Sequence, residues 1–275
     1  MARGSNDSGS ELRASLWTKT RLGGITPLDA VHATCATAVW NSCPAIQSSL
    51  ALHAGANTVS VPPMKQIAEC HLYAFVDTAY LHGRDPIDVA RQLCDGGADL
   101  IQLRAKTSSI EEVKTMAESI LPVTRAAEVP LVINDHFDLA RQVGAEFCHL
   151  GQEDFFDCGF NQVREIPARS DSPKLGLSTH SPDQARRALA ATPAYIAIGP
   201  VYATGTKPTA KPVTLDYVRW AAANVSIPWF AIGGINLQNI DDVLAAGAKR
   251  ICVVSAILNT KDVAAACRQF KNCLA

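Results

Sequence analysis

From Leu72 onward the chain alternates short apolar runs with stretches whose apolar residues recur at helical spacing. The runs that predict strands are Leu72–Asp77, Asp99–Arg104, Pro130–Asn134, Glu146–Gly151, Lys174–Ser178, Ala194–Gly199, Pro228–Ile232 and Arg250–Val254. Their brevity and near-continuous apolarity suit strands buried on both faces. Between them, amphipathic spacing predicts helices over Ile87–Asp95, Glu111–Ala127, Phe137–Val143, Pro182–Ala190, Leu215–Ala223, Leu237–Ala246 and Lys261–Cys273. The fourth connection, around Cys158–Ala168, has the weakest helical period. Strands alternating with helices imply a parallel sheet. Eight such units in roughly 200 residues fit a single-domain α/β fold, the (β/α)8 TIM barrel. A doubly wound open sheet is the alternative, but it lacks the Gly-x-Gly-x-x-Gly expected after its first strand.

A short repeat supports the barrel. Gly97-Ala98-Asp99, Gly144-Ala145-Glu146 and Gly247-Ala248-Lys249 each join a helix end to a strand, and Thr192-Pro193-Ala194-Tyr195 takes the same place before another. They precede the second, fourth, eighth and sixth strands, the phase of a βαβα unit used four times. Glycine suits the left-handed residue that ends a helix. The competing reading is that Gly-Ala is merely a convenient helix–strand connector.

Barrels of this kind place chemistry at the C-terminal ends of their strands. After the second strand, Gln102-Leu103-Arg104-Ala105-Lys106 puts Gln102, Arg104 and Lys106 on one face by strand alternation. Three hydrogen-bonding groups, two of them cationic, aimed together suit a phosphate or diphosphate. The competing reading is a strand end emerging into solvent. Asp135 and Asp154 follow the third and fourth strands and as a pair suit Mg²⁺, which takes few protein carboxylates and completes its shell with water and phosphate. Singly, Asp135 reads as a helix N-cap and Asp154 as a loop acid. Gly233-Gly234 and Val254-Ser255, after the seventh and eighth strands, match the usual phosphate site of such barrels. Glycine there allows close backbone approach, and a helix N-terminus offers N–H groups. Thr204 and Thr206 add hydroxyl donors; Lys207 either reaches an anion or is a solvated loop lysine. The histidines form no ligand set: His149 reads as a satisfied core residue, His136 and His180 lie at strand ends, and His71 and His82 are peripheral. No Ser-His-Asp arrangement and no mid-strand lysine offers a protein nucleophile.

Composition narrows the partners. The 275 residues are 48% hydrophobic and 19% charged, with a net charge of −1, which argues against a nucleic-acid-binding surface. No uncharged apolar run approaches the ~20 residues of a membrane span. The nine cysteines are odd in number and contain no Cys-x-x-Cys, pointing to a reducing, cytoplasmic setting without a disulfide framework or thiolate zinc site. Residues 1–63 differ from the rest: rich in Ser, Ala and Thr, uncharged between Asp29 and Lys65, and without hydrophobic period. They read as a disordered extension, a transit segment or sequence upstream of a true start at Met64. The acids Asp7, Glu11 and Asp29 weaken the transit reading. We take 64–275 as the barrel domain and assign 1–63 no chemistry. Oligomeric state is not legible.

Seven motifs in order carry a resemblance. Gln-Leu-Arg-Ala-Lys (102–106), Ile-Asn-Asp (133–135), His-Leu-Gly-Gln-Glu-Asp (149–154), Gly-Leu-Ser-Thr-His (176–180), Gly-Pro-Val-Tyr-Ala-Thr-Gly-Thr-Lys-Pro (199–208), Ala-Ile-Gly-Gly-Ile (231–235) and Val-Val-Ser-Ala-Ile (253–257) together resemble the thiamine phosphate synthase family from about Leu72 to the C-terminus. The resemblance implies a (β/α)8 transferase that joins hydroxymethylpyrimidine diphosphate to hydroxyethylthiazole phosphate and releases diphosphate by a dissociative, Mg²⁺-assisted step. It implies that Gln102, Arg104, Lys106, Asn134 and Lys207 hold the pyrimidine diphosphate. Ser178 would contact the pyrimidine or stabilise the departing diphosphate, and Asp135 and Asp154 would bind Mg²⁺. Thr204, Gly205, Thr206, Gly234, Val254 and Ser255 would form the thiazole phosphate site. Two residues depart from the family pattern: Ala105 stands where Glu is common, on the face away from Arg104, and Gly205 stands where Pro is common. Ala105 and His180 also keep open a thiazole tautomerase, a related isomerase whose members tend to lack the Gly-Gln-Glu-Asp and Thr-Lys-Pro motifs. A non-catalytic barrel that binds thiamine precursors is a third reading, disfavoured by the intact acidic pair.

Overall fold

The computed structural model describes residues 64–166, 169–205 and 211–274. Its eight strands are β1 (Leu72–Asp77), β2 (Leu100–Arg104), β3 (Leu131–Asn134), β4 (Phe147–Leu150), β5 (Lys174–Thr179), β6 (Tyr195–Ile198), β7 (Trp229–Ile232) and β8 (Ile251–Cys252). Each pairs in parallel with its sequence neighbours, and β8 closes on β1 through Leu72 opposite Ile251. The helices among the described residues are α1 (Pro86–Asp95), α2 (Ile110–Ala126), α3 (Phe137–Val143), α4 (Pro182–Ala190), α5 (Thr214–Asn224), α6 (Ile240–Ala245), α7 (Ser255–Leu258) and α8 (Val263–Cys273). The fold is the expected (β/α)8 barrel. None of these helices is long and apolar enough to cross a membrane.

Local chemistry starts and stops these elements. Asp85, Ser109, Ser181 and Asp262 cap α1, α2, α4 and α8 by accepting backbone N–H groups, and Glu112 completes a capping box at α2. The connectors of the repeat turn as their residues predict: Gly97, Gly144 and Gly247 take φ of +85°, +75° and +101°, and Thr192 stands in the same region at +58°. Between β4 and β5 the weak period yields no α-helix among the described residues. A five-residue π turn (Glu153–Asp157) and a short 3-10 turn (Val163–Glu165) run there instead. Gly159 at φ +86° breaks the path, and Phe155, Phe156, Phe160 and Ile166 cover the barrel in the helix's place. β8 is shorter than the predicted Arg250–Val254, because Val254 already precedes α7 as its cap residue.

The end of the barrel where strands begin is locked by one buried carboxylate. Asp99, 1% exposed, accepts from Lys65 Nζ at 2.6 Å, Lys271 Nζ at 2.5 Å, His71 N at 2.9 Å and Leu72 N at 3.0 Å. Burial pushes its pKa up, but the two ammonium groups and the backbone donors outweigh burial and hold it down to about 2. A depressed folded-state pKa stabilises the fold above the unfolded value and loses that contribution as pH falls through the folded one. Stability should therefore drop by about 2 kcal/mol between pH 3.8 and about 2 on account of this group. Urea melts across that window should show this drop, and Asp99→Asn should be less stable at pH 7 with a flatter acid limb. An unchanged acid limb in that variant would show that other carboxylates set it.

Candidate active site

The opposite end of the barrel opens into a cavity lined from all eight strand ends. Its walls include Gln102, Arg104, Lys106, Asn134, Asp135, Asp154, Ser178, Thr204, Gly234, Val254 and Ser255, all marked by the sequence. Gly205 lies just outside the lining, its Cα hydrogen facing the Tyr80 hydroxyl. Thr206, Lys207 and the whole of 1–63 fall outside the described residues.

The β2 cluster is built as alternation predicts, but each member already has a protein partner. Gln102, 2% exposed, donates through Nε2 to the Tyr73 hydroxyl. Arg104 Nη1 donates to Asp77 Oδ2 at 2.8 Å; the two residues face each other in the β1–β2 register. Asp77 is 1% exposed, and its other oxygen accepts from Ala79 N at 3.1 Å. Lys106 Nζ pairs with Asp135 Oδ2, which also accepts from Asn134 Nδ2 at 2.6 Å. Both cations are thus paired with carboxylates, Arg104 largely buried and Lys106 still half exposed to solvent. Ala105 packs into the apolar core, away from the cavity.

Asp135 does not cap α3. His136 occupies that position, and Asp135 takes φ +68°, a left-handed conformation rare outside glycine but best tolerated by Asp and Asn. That kink turns the carboxylate toward Lys106 and the cavity. Asp154 is the second residue of the π turn after β4 and accepts from Gly151 N at 3.3 Å. Gln152, between them in sequence, is structural: buried, it donates to the Ser178 carbonyl at 2.6 Å and ties the β4 loop to β5.

The other side of the mouth is walled by backbone. Gly233 and Gly234 take φ of +104° and +66°, and a Cβ at Gly234 would stand 2.6 Å from the Ala203 carbonyl oxygen. This close approach lets Val201 N donate to Ile232 O at 2.8 Å and Tyr202 N to Gly233 O at 3.0 Å, lacing the β6 loop to β7. Next to it α7 begins at Ser255, and Val254 and Ser255 line the same cavity.

Sequence reasoning did not single out Asp77, which holds Arg104 from behind the cavity wall, or the lining residues His149 and Tyr73 as parts of the site. Asp77 was visible as the polar end of an apolar strand, on the inward phase set by Tyr73 and Phe75. His149 is a satisfied core residue as expected, with bonds from both ring nitrogens, yet it also lines the cavity and touches Ser178. Tyr73 fills the floor, edge-on to Phe230 with ring centroids 5.3 Å apart. His180, at the end of β5, donates from Nδ1 to the Gly199 carbonyl.

A closed parallel barrel with charged side chains and backbone donors gathered at the C-terminal strand ends defines the class of (β/α)8-barrel enzymes. The family model described as thiamine monophosphate synthase matches residues 72–257. The thiamine-phosphate synthase of Halalkalibacterium halodurans is 38% identical over 204 residues, covering 74% of this chain and 94% of that protein. That of Thermus thermophilus is 42% identical over 186 residues, covering 67% and 87%. Among solved structures, a thiamine phosphate pyrophosphorylase from Pyrococcus furiosus superposes with a TM-score of 0.65 at 28% identity, over 74% of this chain and 95% of that one. A 3-hexulose-6-phosphate synthase at 19% identity and TM-score 0.54 shares the fold. The chain belongs to the thiamine monophosphate synthase family, and it is a transferase.

Proposed function

We propose that this chain joins hydroxymethylpyrimidine diphosphate to hydroxyethylthiazole phosphate, releasing diphosphate. The observation that carries the reading is the two-sided cavity: Arg104, Lys106, Asn134 and two carboxylates on the β2–β4 side, glycine and helix-start backbone on the β7–β8 side. One side suits a diphosphate and the other a second phosphate.

Asp135 and Asp154 fit Mg²⁺. Both are hard oxygen donors lining one cavity, and among the described residues no group of three or more His, Cys, Asp or Glu is placed to enclose a metal. A two-carboxylate site suits an ion that keeps waters and substrate phosphate oxygens. Bound there, Mg²⁺ would supply positive charge to the diphosphate. The remaining work falls to the chain. Arg104 and Lys106 stabilise the negative charge that grows on the leaving group, and Asn134 and Gln102 orient it. The methylene C–O bond breaks with its electron pair going to the diphosphate, and the aminopyrimidine ring stabilises the cation left behind. Gly234, Val254 and Ser255, with Thr204, Gly205 and Thr206 from the β6 loop, hold the thiazole phosphate so that the ring nitrogen lone pair forms the new C–N bond. Lys207 serves the diphosphate side. Ser178 donates to the departing diphosphate. No protein nucleophile enters. Cysteines buried in the apolar core, such as Cys70, Cys252 and Cys267, suit a reducing, cytoplasmic setting.

Incubating the purified chain with both substrates and Mg²⁺ should yield thiamine phosphate and diphosphate in equal amounts; absence of product would overturn the reading. Asp154→Asn should lower kcat by about 10²-fold and shift the Mg²⁺ titration to higher concentration. A titration identical to that of the unaltered chain would remove Asp154 from the metal site.

A further inference from the structure

A row of hydrogen bonds crosses the barrel interior under the cavity. Gln102 Nε2 on β2 donates to Tyr73 Oη on β1. Tyr73 Oη and Tyr195 Oη, on β1 and β6, are 3.0 Å apart. Tyr195 Oη lies 3.1 Å from His149 Nδ1 on β4, and His149 Nε2 lies 2.8 Å from Ser178 Oγ on β5. Tyr73 and Tyr195 are 1% and 0% exposed, and His149 and Ser178 are both buried at 8%.

Such a row has a direction, because each hydroxyl carries one hydrogen and a neutral imidazole one more. Having accepted from Gln102, Tyr73 gives its hydrogen to Tyr195. Tyr195 then donates to Nδ1, which must be the bare nitrogen. The ring hydrogen sits on Nε2 and is donated to Ser178 Oγ, so the serine's own hydrogen is directed elsewhere, to the cavity that Ser178 lines. With the amide nitrogen of Gln102 facing Tyr73, the reverse direction sets the Tyr73 hydrogen against an NH₂ group, and an unsatisfied buried donor costs about 1–3 kcal/mol. Burial raises the pKa of both tyrosines well above its ordinary value, so both remain neutral hydroxyls. A serine that receives a hydrogen bond from histidine is not activated as a nucleophile; it is fixed as a donor.

We propose that Tyr73 and Tyr195 are positioning residues for the transfer: acting through His149, they hold Ser178 as a hydrogen-bond donor toward the leaving diphosphate. The inference rests on the role given to Ser178 above and extends it to two tyrosines that reach that serine through His149.

Tyr195→Phe removes one hydroxyl and keeps the ring, edge-on to Tyr73 and Phe230 at centroid distances of 6.0 and 5.6 Å. It should lower kcat about tenfold with KM for both substrates within about twofold, the signature of an interaction made in the transition state. In a Ser178→Ala background the same change should have no further effect, because its route to the reaction is gone. In the unaltered chain, nitrogen NMR of labelled histidine should find the His149 hydrogen on Nε2. An unchanged kcat in Tyr195→Phe, an equal loss with and without Ser178, or a hydrogen on Nδ1 would each overturn the proposal while leaving Ser178 its role. An unchanged kcat in Ser178→Ala would overturn both. The tautomer is read on the unaltered chain, so it tests the proposal even if the phenylalanine variant does not fold.

Discussion

Arg104→Ala should lower kcat/KM by about 10²–10³-fold, the usual size of losing one preorganised charge at a developing anion. Arg104 is more constrained than Lys106: its guanidinium is tied at 2.8 Å to Asp77, and the two side chains are 12% and 1% exposed. The pairing fixes the fork before any ligand arrives, so no ordering cost falls on the reaction. It also carries a liability. Deleting the arginine leaves Asp77 buried without its counter-charge, and breaking such a pair costs about 3–5 kcal/mol. The activity loss must therefore be read on protein shown to be folded, and Arg104→Lys supplies the control. Lysine keeps the charge that neutralises Asp77 but cannot reproduce the planar fork. Arg104→Lys should melt close to the unaltered chain and still lose most of its turnover. Turnover within twofold in a folded Arg104→Ala would show that the diphosphate is held elsewhere.

A large loss of stability should also come from Gly176→Ala. Gly176 on β5 faces Tyr195 on β6 in register, and the tyrosine ring lies over it so closely that a Cβ would stand 2.1 Å from Cζ and 2.4 Å and 2.6 Å from the two Cε atoms. The ring has nowhere to retreat. Phe147, His149, Tyr73 and Phe230 surround it at centroid distances of 5.6 to 6.0 Å. Overpacking a filled interior costs about 1–3 kcal/mol and at times more, and this clash is with a ring core, not a flexible tip. We expect a loss near the top of that range and a Tm lowered by about 6–12 °C, at 2–4 °C per kcal/mol for a domain of this size. Turnover should fall further than stability alone explains, because displacing Tyr195 moves the histidine stacked on it. A thermal melt within one or two degrees of the unaltered chain would mean that the ring does not occupy that space.

The strands were legible because parallel strands buried on both faces are short apolar runs, and Gly and Asp mark where they stop. Their limits agree with the structure to within one or two residues at nearly every end. The fourth connection was illegible for a physical reason. Its aromatic residues, Phe155, Phe156 and Phe160, meet the barrel from π and irregular turns, for which periodicity has no template. At the site, alternation put Gln102, Arg104 and Lys106 on one face, but it could not tell which carboxylate each would meet. Asp77 finds Arg104 through strand register, and Lys106 finds Asp135 through a left-handed kink, and neither is a property of local sequence. The hydroxyl row lay deepest. Tyr73 and Tyr195 stand 122 positions apart on strands that do not pair, so only barrel closure brings their oxygens together.

That same row bears on how this sequence can change over time. Gln102, Tyr73, Tyr195, His149 and Ser178 come from five strands, yet each fixes the proton direction of the next. A substitution in this row that is harmless in one background is costly in another. Neutral drift through the barrel floor is therefore channelled into ordered, paired replacements, and sequences that have lost one hydroxyl should tend to have lost its neighbour as well.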